Sequence, residues 1–496
     1  MSASRIDPKQ SICGRAVINV YEISSQRSIW QVLDHLRGTN LRNVDVGVAL
    51  AALMYLRWAD FEDAEREAIA AFEDTHYEPV LASRYLWRTW CNNAPQQLEE
   101  LFGELPFILG QLGNRRHDAF ATQLARAANG LEPLQRLDGE SLSVMVRWLA
   151  NQPFETPADR LKLRDVLDEV LSKTSTKQSG QYFSPRTLAT LMAGLAQPQV
   201  GESIYDPCFG SAGLLTASLE IVRRRREISV GEANYQAGGQ PLRIFGVERV
   251  PDVYLMGLTR LVLSGVIDPQ IELGDSLERV PASNPGTEGF DIVIANPPWG
   301  GKVDLQGLDH YPIQSTDSSA LFVQHALAQL RPGGRAIIAV PPSLLFRKGR
   351  EEELRRMLVE DNTLEAIVAI PRGSHAPNIA INVYLLLLRR GGKTKTIRMV
   401  DAASDFEKVR GSGLSDLALI DQISRLVRTS DEGEEWWDVD VDSLSETHFD
   451  LTPKRRDRSG LQDVLNSLPD DVRVAPLSEC SEIRSGQNIR AADLLP

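Results

Sequence analysis

The sequence predicts an all-α N-terminal domain followed by an α/β domain, whose Rossmann-like sheet carries helices on both faces. Three observations lead to this fold class. Apolar residues recur at helical spacing between residues 29 and 171. From residue 203 onward, short apolar, β-branched runs alternate with helical segments, and a glycine-rich turn follows the first run. Repeated strand–helix units of this kind imply a parallel sheet with right-handed crossovers.

Composition limits the classes of function. The chain has 496 residues, and its 42% hydrophobic and 24% charged shares are typical of a soluble globular protein. The formal net charge of −13 argues against broad, unaided binding to nucleic acid, because nonspecific affinity comes mainly from neutralised phosphates. A function on nucleic acid therefore requires a local basic surface or a partner.

Metal, disulfide and membrane classes are disfavoured. The four cysteines lie far apart and form no Cys-x-x-Cys pair, so we expect no metal site and no disulfide framework. The first residues lack the apolar core of a signal peptide, and no uncharged apolar run reaches membrane-spanning length. We expect a cytoplasmic protein with no membrane partner.

Five parts are predicted along the chain. They are an extension, a helical domain, the α/β domain, an acidic helix-capable region with a linker, and the start of a further unit, at residues 1–28, 29–171, 172–400, 401–473 and 474–496. In the helical domain a long helix is expected over Val46–Phe61, followed by a charged, solvated segment at residues 62–73. Since no catalytic set converges there, we expect this domain to pack or to dock a partner.

The α/β domain is expected to begin with a helix start at Ser184. A serine hydroxyl followed by proline is typical of an N-cap and first helical position, here Ser184 and Pro185. Just before this start, Gln181 is followed by two aromatic residues whose rings can line a pocket, Tyr182 and Phe183.

Strands and helices then alternate. Strands are predicted at Ile204–Pro207, Ile244–Glu248, Ile271–Gly274, Phe290–Ala295, Ala336–Val340, Leu364–Ile370 and Ile381–Leu388. Helices are predicted at Leu214–Arg226, Asp252–Ser264, Leu321–Leu330, Arg350–Val359 and around Leu414–Val427, with residues 332–334 stopping the third of these. Residues 227–242 are interpreted as an insertion loop, and Gly300–Ser319 as a candidate lid.

The turn after Phe290–Ala295 is the predicted centre of the chemistry. Two prolines forbid continuation of the strand, so Asn296 is held at its carboxyl end, where open α/β sheets bind ligands. The turn offers a rigid amide, a carbonyl and an aromatic plane, and it consists of Asn296, Pro297, Pro298 and Trp299. This combination suits a planar base with an exocyclic amine.

Acidic residues end the successive strands before it. Asp206 precedes the glycine turn, where a carboxylate accepts from a ligand ammonium but repels a pyrophosphate. Glu248 ends the next predicted strand, where an acid typically holds ribose hydroxyls, and Asp275 follows the third and suits an adenine amine. The series describes a pocket for S-adenosylmethionine, whose sulfonium and ammonium groups are cationic.

These motifs resemble those of amino-group DNA methyltransferases. The segment Gly180–Pro185, the turn Asp206–Gly213 and the Asn-Pro-Pro-Trp turn occur in an order similar to that of the N6-adenine methyltransferase (modification) subunit of type I restriction-modification systems. The resemblance covers roughly residues 29–456, and Ala475–Gly486 resembles the opening of a specificity subunit's target-recognition domain. The chain therefore resembles part of a fused methyltransferase-specificity polypeptide.

Two residues depart from the family's pattern. Ala212 stands where glycine is usual, and Phe209 replaces a common cysteine. Neither change removes a chemical group needed for methyl transfer.

The resemblance implies methyl transfer from S-adenosylmethionine to adenine N6 in duplex DNA, on a flipped-out base. It implies that the Asn296 side-chain oxygen and the Pro297 carbonyl accept from the amine, while Trp299 stacks on the base and His375 lies in a loop near it. Its partners would be double-stranded DNA, a specificity subunit or fused domain, a second methyltransferase copy and a restriction subunit. The implied cofactor residues are Gln181, Tyr182, Phe183, Ser184, Asp206, Pro207, Gly210, Ser211, Gly213, Glu248, Asp275 and Asn296.

Alternatives stay open at several residues. Each acid alone is equally typical of a cap or a salt bridge. Trp299 taken alone could also be a core aromatic, although its place after Pro-Pro favours the site, and for His375 a solvated loop residue is the favoured interpretation. Two interpretations fit the cations at 347, 348 and 350 equally well: they contact phosphates, or they are the solvated start of a helix. A cytosine C5 enzyme is disfavoured, because the Pro-Cys dipeptide at 207–208 belongs to the glycine turn. Asparagine before Pro-Pro favours adenine N6 over cytosine N4 as the methylated atom, but it does not exclude cytosine N4.

Two other functions also fit the sequence. One is a methyltransferase acting on RNA or on a protein glutamine, since both present planar amines or amides. The other is a cofactor-binding subunit of a DNA-defence complex that has lost transfer.

Overall fold

The structure, a computed structural model, describes residues 29–36, 43–115, 118–174, 184–230, 242–279, 289–361, 363–371, 382–402, 416–428 and 435–453. The chain up to Thr452 forms one compact unit, and the chain from Pro453 onward a second. The unit predicted at residues 474–496 lies outside the described residues.

The N-terminal part is helical, as predicted. Its helices are α1 Ile29–Leu36, α2 Asn43–Phe72, α3 Trp87–Trp90, α4 Pro95–Gly110, α5 Leu112–Arg115, α6 Ala119–Ala128, α7 Glu132–Gln135, α8 Gly139–Ala150 and α9 Pro157–Thr174. No helix in the described part of the chain is long and apolar enough to span a membrane.

Residues 62–72 continue α2, and most side chains of the segment 62–73 are exposed, as expected, but Glu62, Asp63 and Ala70 are buried. Asp63 on this extension is only 1% exposed. Its carboxylate accepts from the backbone nitrogens of Val80 and Leu81, each at 3.0 Å, and from the Tyr77 hydroxyl at 2.7 Å. These bonds hold residues 77–81 against α2. The local charge pattern does not predict this contact.

The α/β part contains nine strands and seven α-helices within the described residues. The strands are β1 Ser203–Asp206, β2 Arg243–Glu248, β3 Gln270–Leu273, β4 Phe290–Ala295, β5 Leu330–Val340, β6 Leu364–Ile370, β7 Val383–Arg389, β8 Thr396–Asp401 and β9 Trp436–Asp440. The helices are α10 Arg186–Ala196, α11 Gly213–Val230, α12 Pro251–Leu263, α13 Ser318–Gln329, α14 Pro342–Phe346, α15 Arg350–Glu360 and α16 Asp416–Arg428.

All nine strands form one sheet in the order β3-β2-β1-β4-β5-β7-β6-β8-β9. The first five strands in sequence are mutually parallel, as predicted, so their carboxyl ends meet at one edge. Among the later strands, β7 runs antiparallel to β5 and β6, and β9 runs antiparallel to β8.

The central strand β4 is buried on both faces. Ile292 and Ile294 belong to the apolar core on one side of the sheet, and Val293 and Ala295 to the core on the other. All four side chains are fully buried. This confirms the prediction made from the uninterrupted apolar run and explains why the strand's end is fixed.

Some predicted boundaries are wrong. Residues 227–230 continue α11 instead of beginning an insertion loop. Helix α13 ends at Gln329, and Leu330 already starts β5. The register between β4 and β5 jumps from Phe290↔Leu330 to Ile292↔Arg335, so the Pro-Gly-Gly sequence lies in a bulge of the strand. Strands β8 and β9 and helix α14 were not predicted, because their short sequences carry weak periodicity.

The helical part packs directly on the α/β part. Thr259 of α12 donates its hydroxyl to the Ala51 carbonyl of α2 at 3.2 Å. Arg126 of α6 donates to the Ile271 carbonyl of β3 at 3.0 Å. The first contact holds α12, which follows β2, against the long helix α2, and the second holds β3 against α6.

The candidate lid at Gly300–Ser319 is irregular but packed. The Tyr311 hydroxyl, on a side chain only 2% exposed, donates to the Leu277 carbonyl at 3.1 Å and lies 2.9 Å from His325 Nδ1. The other ring nitrogen of His325 lies 3.1 Å from the Tyr205 hydroxyl of β1. Burial lowers the pKa of His325 to about 3, so the ring is neutral. A satisfied network therefore ties the middle of this segment to the sheet, in place of a free lid.

Candidate active site

Asn296 directly follows the last residue of β4. Its side-chain nitrogen donates to the Ser184 hydroxyl at 2.8 Å, which fixes the orientation of the amide. The amide oxygen is buried and has no hydrogen-bond partner among the described residues. A buried acceptor without a donor is costly, so this oxygen is suited to accept from a ligand.

The role predicted for Ser184 as a helix cap is wrong. Helix α10 begins at Arg186, its N-cap is Pro185, and no side chain caps it. The Ser184 hydroxyl instead accepts from Asn296, a residue 112 positions later in the chain. Ser184 thus positions the amide of the Asn-Pro-Pro-Trp turn.

The remainder of this turn is held by two neighbours. Ser318, the first residue of α13, donates its hydroxyl to the Pro298 carbonyl at 2.8 Å. The Trp299 indole nitrogen donates to the Ala339 carbonyl of β5 at 3.3 Å, and the ring is half-buried. Pro297 is buried, and its carbonyl accepts no hydrogen bond from a described residue. The turn therefore presents two acceptors on a fixed frame.

The glycine turn follows β1. Gly210 has φ +56° and donates its backbone nitrogen to Glu248 at 3.0 Å. Phe209 is buried beneath the turn, against Gly246 and Gly257, where an added Cβ would come within 2.8 and 2.6 Å of its ring. The phenylalanine that departs from the family's pattern is thus accommodated by two glycines of the neighbouring strand and helix.

Ala212 occupies the left-handed region with φ +60°. This conformation costs a non-glycine residue about 1–2 kcal/mol. The family's usual glycine avoids this cost, so the departure stores strain in the cofactor turn.

Arg260 of α12 braces the same turn and was not predicted from the sequence. Its guanidinium donates to the Ser211 hydroxyl at 3.0 Å and to the Ser211 carbonyl. It also pairs with Asp168 of α9 at 2.6 Å. The helical N-terminal part therefore contacts the cofactor turn through one arginine.

Asp206 is fully buried at the end of β1. One carboxylate oxygen accepts from the Cys208 backbone nitrogen at 3.0 Å, and the other has no partner among the described residues. Burial, with the nearby charge of Glu248, raises the pKa of Asp206 to about 8. An acid in this state is stabilised as a carboxylate by a cationic ligand.

Glu248 and Asp275 are more constrained. The Glu248 carboxylate accepts from the backbone nitrogens of Gly210 at 3.0 Å and Val250 at 2.8 Å, and burial raises its pKa. Asp275 accepts from the Leu277 nitrogen at 3.0 Å and lies 3.5 Å from the Arg249 guanidinium. Each acid keeps lone pairs beyond these bonds, because a carboxylate has about four acceptor sites.

Four predicted site residues lie outside the described part of the chain: Gln181, Tyr182, Phe183 and His375. Pro207 and Gly213 lie in the glycine turn, where Gly213 begins α11. The carboxyl ends of β1, β2, β3 and β4 thus bring together Asp206, Glu248, Asp275 and Asn296 at one edge of the sheet.

This donor set fits S-adenosylmethionine. An unpartnered buried carboxylate suits a cation, and a second acid ends the next strand beside the glycine turn. The fold and these groups define an S-adenosylmethionine-dependent methyltransferase. The chain belongs to the N-6 DNA Methylase family, whose model matches residues 164–460, and is thus an adenine-N6 DNA methyltransferase.

Individual relatives agree with this assignment. The chain is 24% identical to the type I restriction enzyme EcoEI methylase subunit of Escherichia coli, over 88% of this chain and 91% of the relative. A solved chain of the type I R-M system matches with a TM-score of 0.72 and 25% identity, covering 91% of this chain and 93% of that one. The type I methyltransferase subunit from Streptococcus thermophilus shares the fold, with a TM-score of 0.61, 17% identity, and coverage of 85% and 97%.

The bond between Asn296 and Ser184 leads to a prediction. Replacing Ser184 by Ala removes the acceptor that orients the amide, so we expect kcat to fall about tenfold, the effect of losing one hydrogen bond of ~1 kcal/mol or slightly more. Ser184→Thr keeps the hydroxyl and should restore most of the rate. Steady-state kinetics at saturating cofactor measure both variants. Full kcat in Ser184→Ala would show that Asn296 does not depend on this bond.

Proposed function

We propose that this enzyme methylates N6 of an adenine extruded from duplex DNA, and that Asn296 and Pro297 hold the amine. The observation that carries the proposal is the buried, unpartnered side-chain oxygen of Asn296. It lies in an amide fixed by Ser184, next to a Pro297 carbonyl that is likewise unengaged among the described residues. Two acceptors suit the two N–H bonds of an exocyclic amine.

The amine of adenine is a weak nucleophile, because its lone pair is delocalised into the ring. S-adenosylmethionine, when bound, supplies a methyl group activated by the sulfonium charge. Hydrogen bonds to Asn296 and Pro297 localise the lone pair and stabilise the positive charge that grows on nitrogen. The amine then loses one of its protons to solvent, so no strong general base is needed.

Trp299 supports the extruded base. Its indole is anchored to β5 through Ala339, which holds the ring plane beside the amide. Extrusion costs a few kcal/mol, and stacking on an aromatic ring returns ~1–3 kcal/mol. We place His375 in the same base-binding region, as its position in the sequence suggests.

The remaining residues hold the cofactor. We assign Asp206 to the cationic amino-acid end, Glu248 to the ribose and Asp275 to the adenine amine. The glycine turn supplies a close backbone approach. The segment before α10, which includes Gln181, Tyr182 and Phe183, completes the pocket in this proposal.

The relatives are subunits of type I restriction enzymes, which supports a role as the modification component of such a system. We propose that a specificity subunit or fused domain selects the site, and that a second methyltransferase copy and a restriction subunit join. The net charge of −13 supports this dependence on a partner for reaching DNA. Because the substrate is DNA, we place the enzyme in the cytoplasm.

A transfer assay with labelled S-adenosylmethionine tests the proposal. The full chain, with its specificity partner, is offered duplex DNA, RNA and protein, and the labelled product is hydrolysed to nucleosides or amino acids. We expect N6-methyladenine from DNA alone. Label in RNA or glutamine would support the alternative substrates, and cofactor binding without transfer to any of them would indicate a silent subunit.

A further inference from the structure

Five consecutive exposed residues run from the last residue of α14 to the first residue of α15: Phe346, Arg347, Lys348, Gly349 and Arg350. We call them the basic segment. Three of the five are cations, and the Phe346 side chain is 52% exposed. An exposed aromatic ring among cations is unfavourable on a bare surface but typical of nucleic-acid interfaces.

The basic segment has a fixed backbone. Arg355 is only 1% exposed, and its guanidinium donates to the carbonyls of Leu344 at 2.9 Å, Arg347 at 2.8 Å and Phe449 at 2.7 Å. The Leu345 carbonyl accepts from the Leu451 nitrogen at 2.9 Å. A buried cation thus holds the carboxyl-terminal half of α14 and the residue after it, while the side chains that follow stay in solvent. A merely solvated helix start does not require such an anchor.

Direct contacts connect this segment with the catalytic turn. The Arg347 guanidinium lies 3.8 Å from Asp317, and Asp317 caps α13 through the Ser319 nitrogen at 2.9 Å. Ser318, which lies between Asp317 and Ser319 in the chain, donates its hydroxyl to the Pro298 carbonyl at 2.8 Å. The basic segment therefore lies beside the Asn-Pro-Pro-Trp turn, at the edge where β4 and β5 end in parallel.

The charges of the segment are only partly compensated. Arg350 pairs with Glu353 at 2.8 Å, and Arg347 faces Asp317 at the longer distance given above. Lys348 forms no ion pair with any residue that the structure describes. Lys302, which follows the turn and forms a β-bridge with Asp317, adds an exposed cation at this edge. In a chain of net charge −13, this is a local cationic surface next to the reacting groups.

We propose that the basic segment binds the phosphate backbone of the target duplex beside the extruded adenine. This inference rests on the proposed function. Arg347 and Lys348 neutralise phosphates that flank the flipped nucleotide, and Phe346 packs against the neighbouring sugar or base. These contacts carry no sequence information and place the adenine amine at Asn296, whereas the specificity partner selects the site.

Salt dependence tests this inference. The full chain with its specificity partner is titrated with a duplex containing its methylation site, at several salt concentrations. The variants are Lys348→Ala and Arg347→Ala/Lys348→Ala. Lys393→Ala is the matched control, since this exposed lysine follows β7 at the opposite edge of the sheet.

Each lost phosphate contact should lower the slope of log affinity against log salt by about 0.9, and the double variant should bind DNA roughly tenfold more weakly. Affinity for S-adenosylmethionine should stay unchanged, which shows that the variants are folded. Slopes in the two variants equal to those of wild type and Lys393→Ala would overturn the inference. DNA methylation by the wild-type enzyme would still support the proposed function in that case. If the wild-type enzyme methylates no DNA, both the proposed function and this inference are contradicted.

Discussion

Replacing Asn296 by Ala is expected to lower kcat roughly 10³-fold, with little change in the affinity for S-adenosylmethionine. The side-chain oxygen of Asn296 is the buried acceptor without a partner, and the backbone of the turn is held independently through Pro298 and Trp299. The substitution therefore removes the acceptor and leaves the frame. Single-turnover methyl transfer measures the chemical step, and calorimetry measures cofactor binding.

Asn151→Ala is the matched control for this variant. Asn151 is exposed after α8 and donates to the Arg147 carbonyl, far along the chain from the turn. The control should keep the wild-type rate. If Asn296→Ala also keeps it, the assignment of the amide as the amine-holding group is wrong.

Replacing Asp206 by Asn is expected to weaken S-adenosylmethionine binding roughly 10²-fold, from the loss of about 3 kcal/mol in a charge-assisted hydrogen bond. The amide has nearly the same shape and retains an oxygen for the Cys208 nitrogen, so the turn should persist. Asp442→Asn, at an exposed position, is the control and should bind normally. Wild-type affinity in Asp206→Asn would contradict a role for this carboxylate in holding the cation.

The same residue gives the binding reaction a pH dependence. The pKa of Asp206 is raised to about 8, so at pH 7 the free enzyme carries mainly the protonated acid. A bound cation favours the carboxylate and lowers this pKa, so binding releases a proton and affinity rises between pH 6 and 8. Calorimetry at pH 7 in buffers of different ionisation enthalpy counts that proton. Asp206→Asn should lose the released proton, which separates Asp206 from titration of the ligand's own amino group.

Local patterns were sufficient to predict the strand ends and their polar residues. The apolar run of β4, ended by two prolines, predicted the position of Asn296, and the acids at residues 206 and 248 were found at the ends of their strands. Each of these features depends on neighbours in sequence. The same reasoning assigned Ser184 to a helix cap, since Ser-Pro is a typical start and the competing partner is 112 residues away.

Long-range contacts could not be predicted in this way. Arg260 reaches Ser211 across 49 positions, and Arg355 reaches Phe449 across 94. An arginine on a helix has the same local pattern whether it is solvated or braces a turn. The half-exposed edge strand β9 was likewise missed, because its acidic, tryptophan-containing sequence has no clear alternation.

Sequencing of single DNA molecules tests the central claim most directly. DNA is taken from cells that carry the wild-type chain and its partner, and from cells that carry Asn296→Ala in its place. The account predicts N6-methyladenine at one defined sequence with the wild-type chain and none with the variant. Methylation of cytosine, or unchanged adenine methylation with Asn296→Ala, would contradict it.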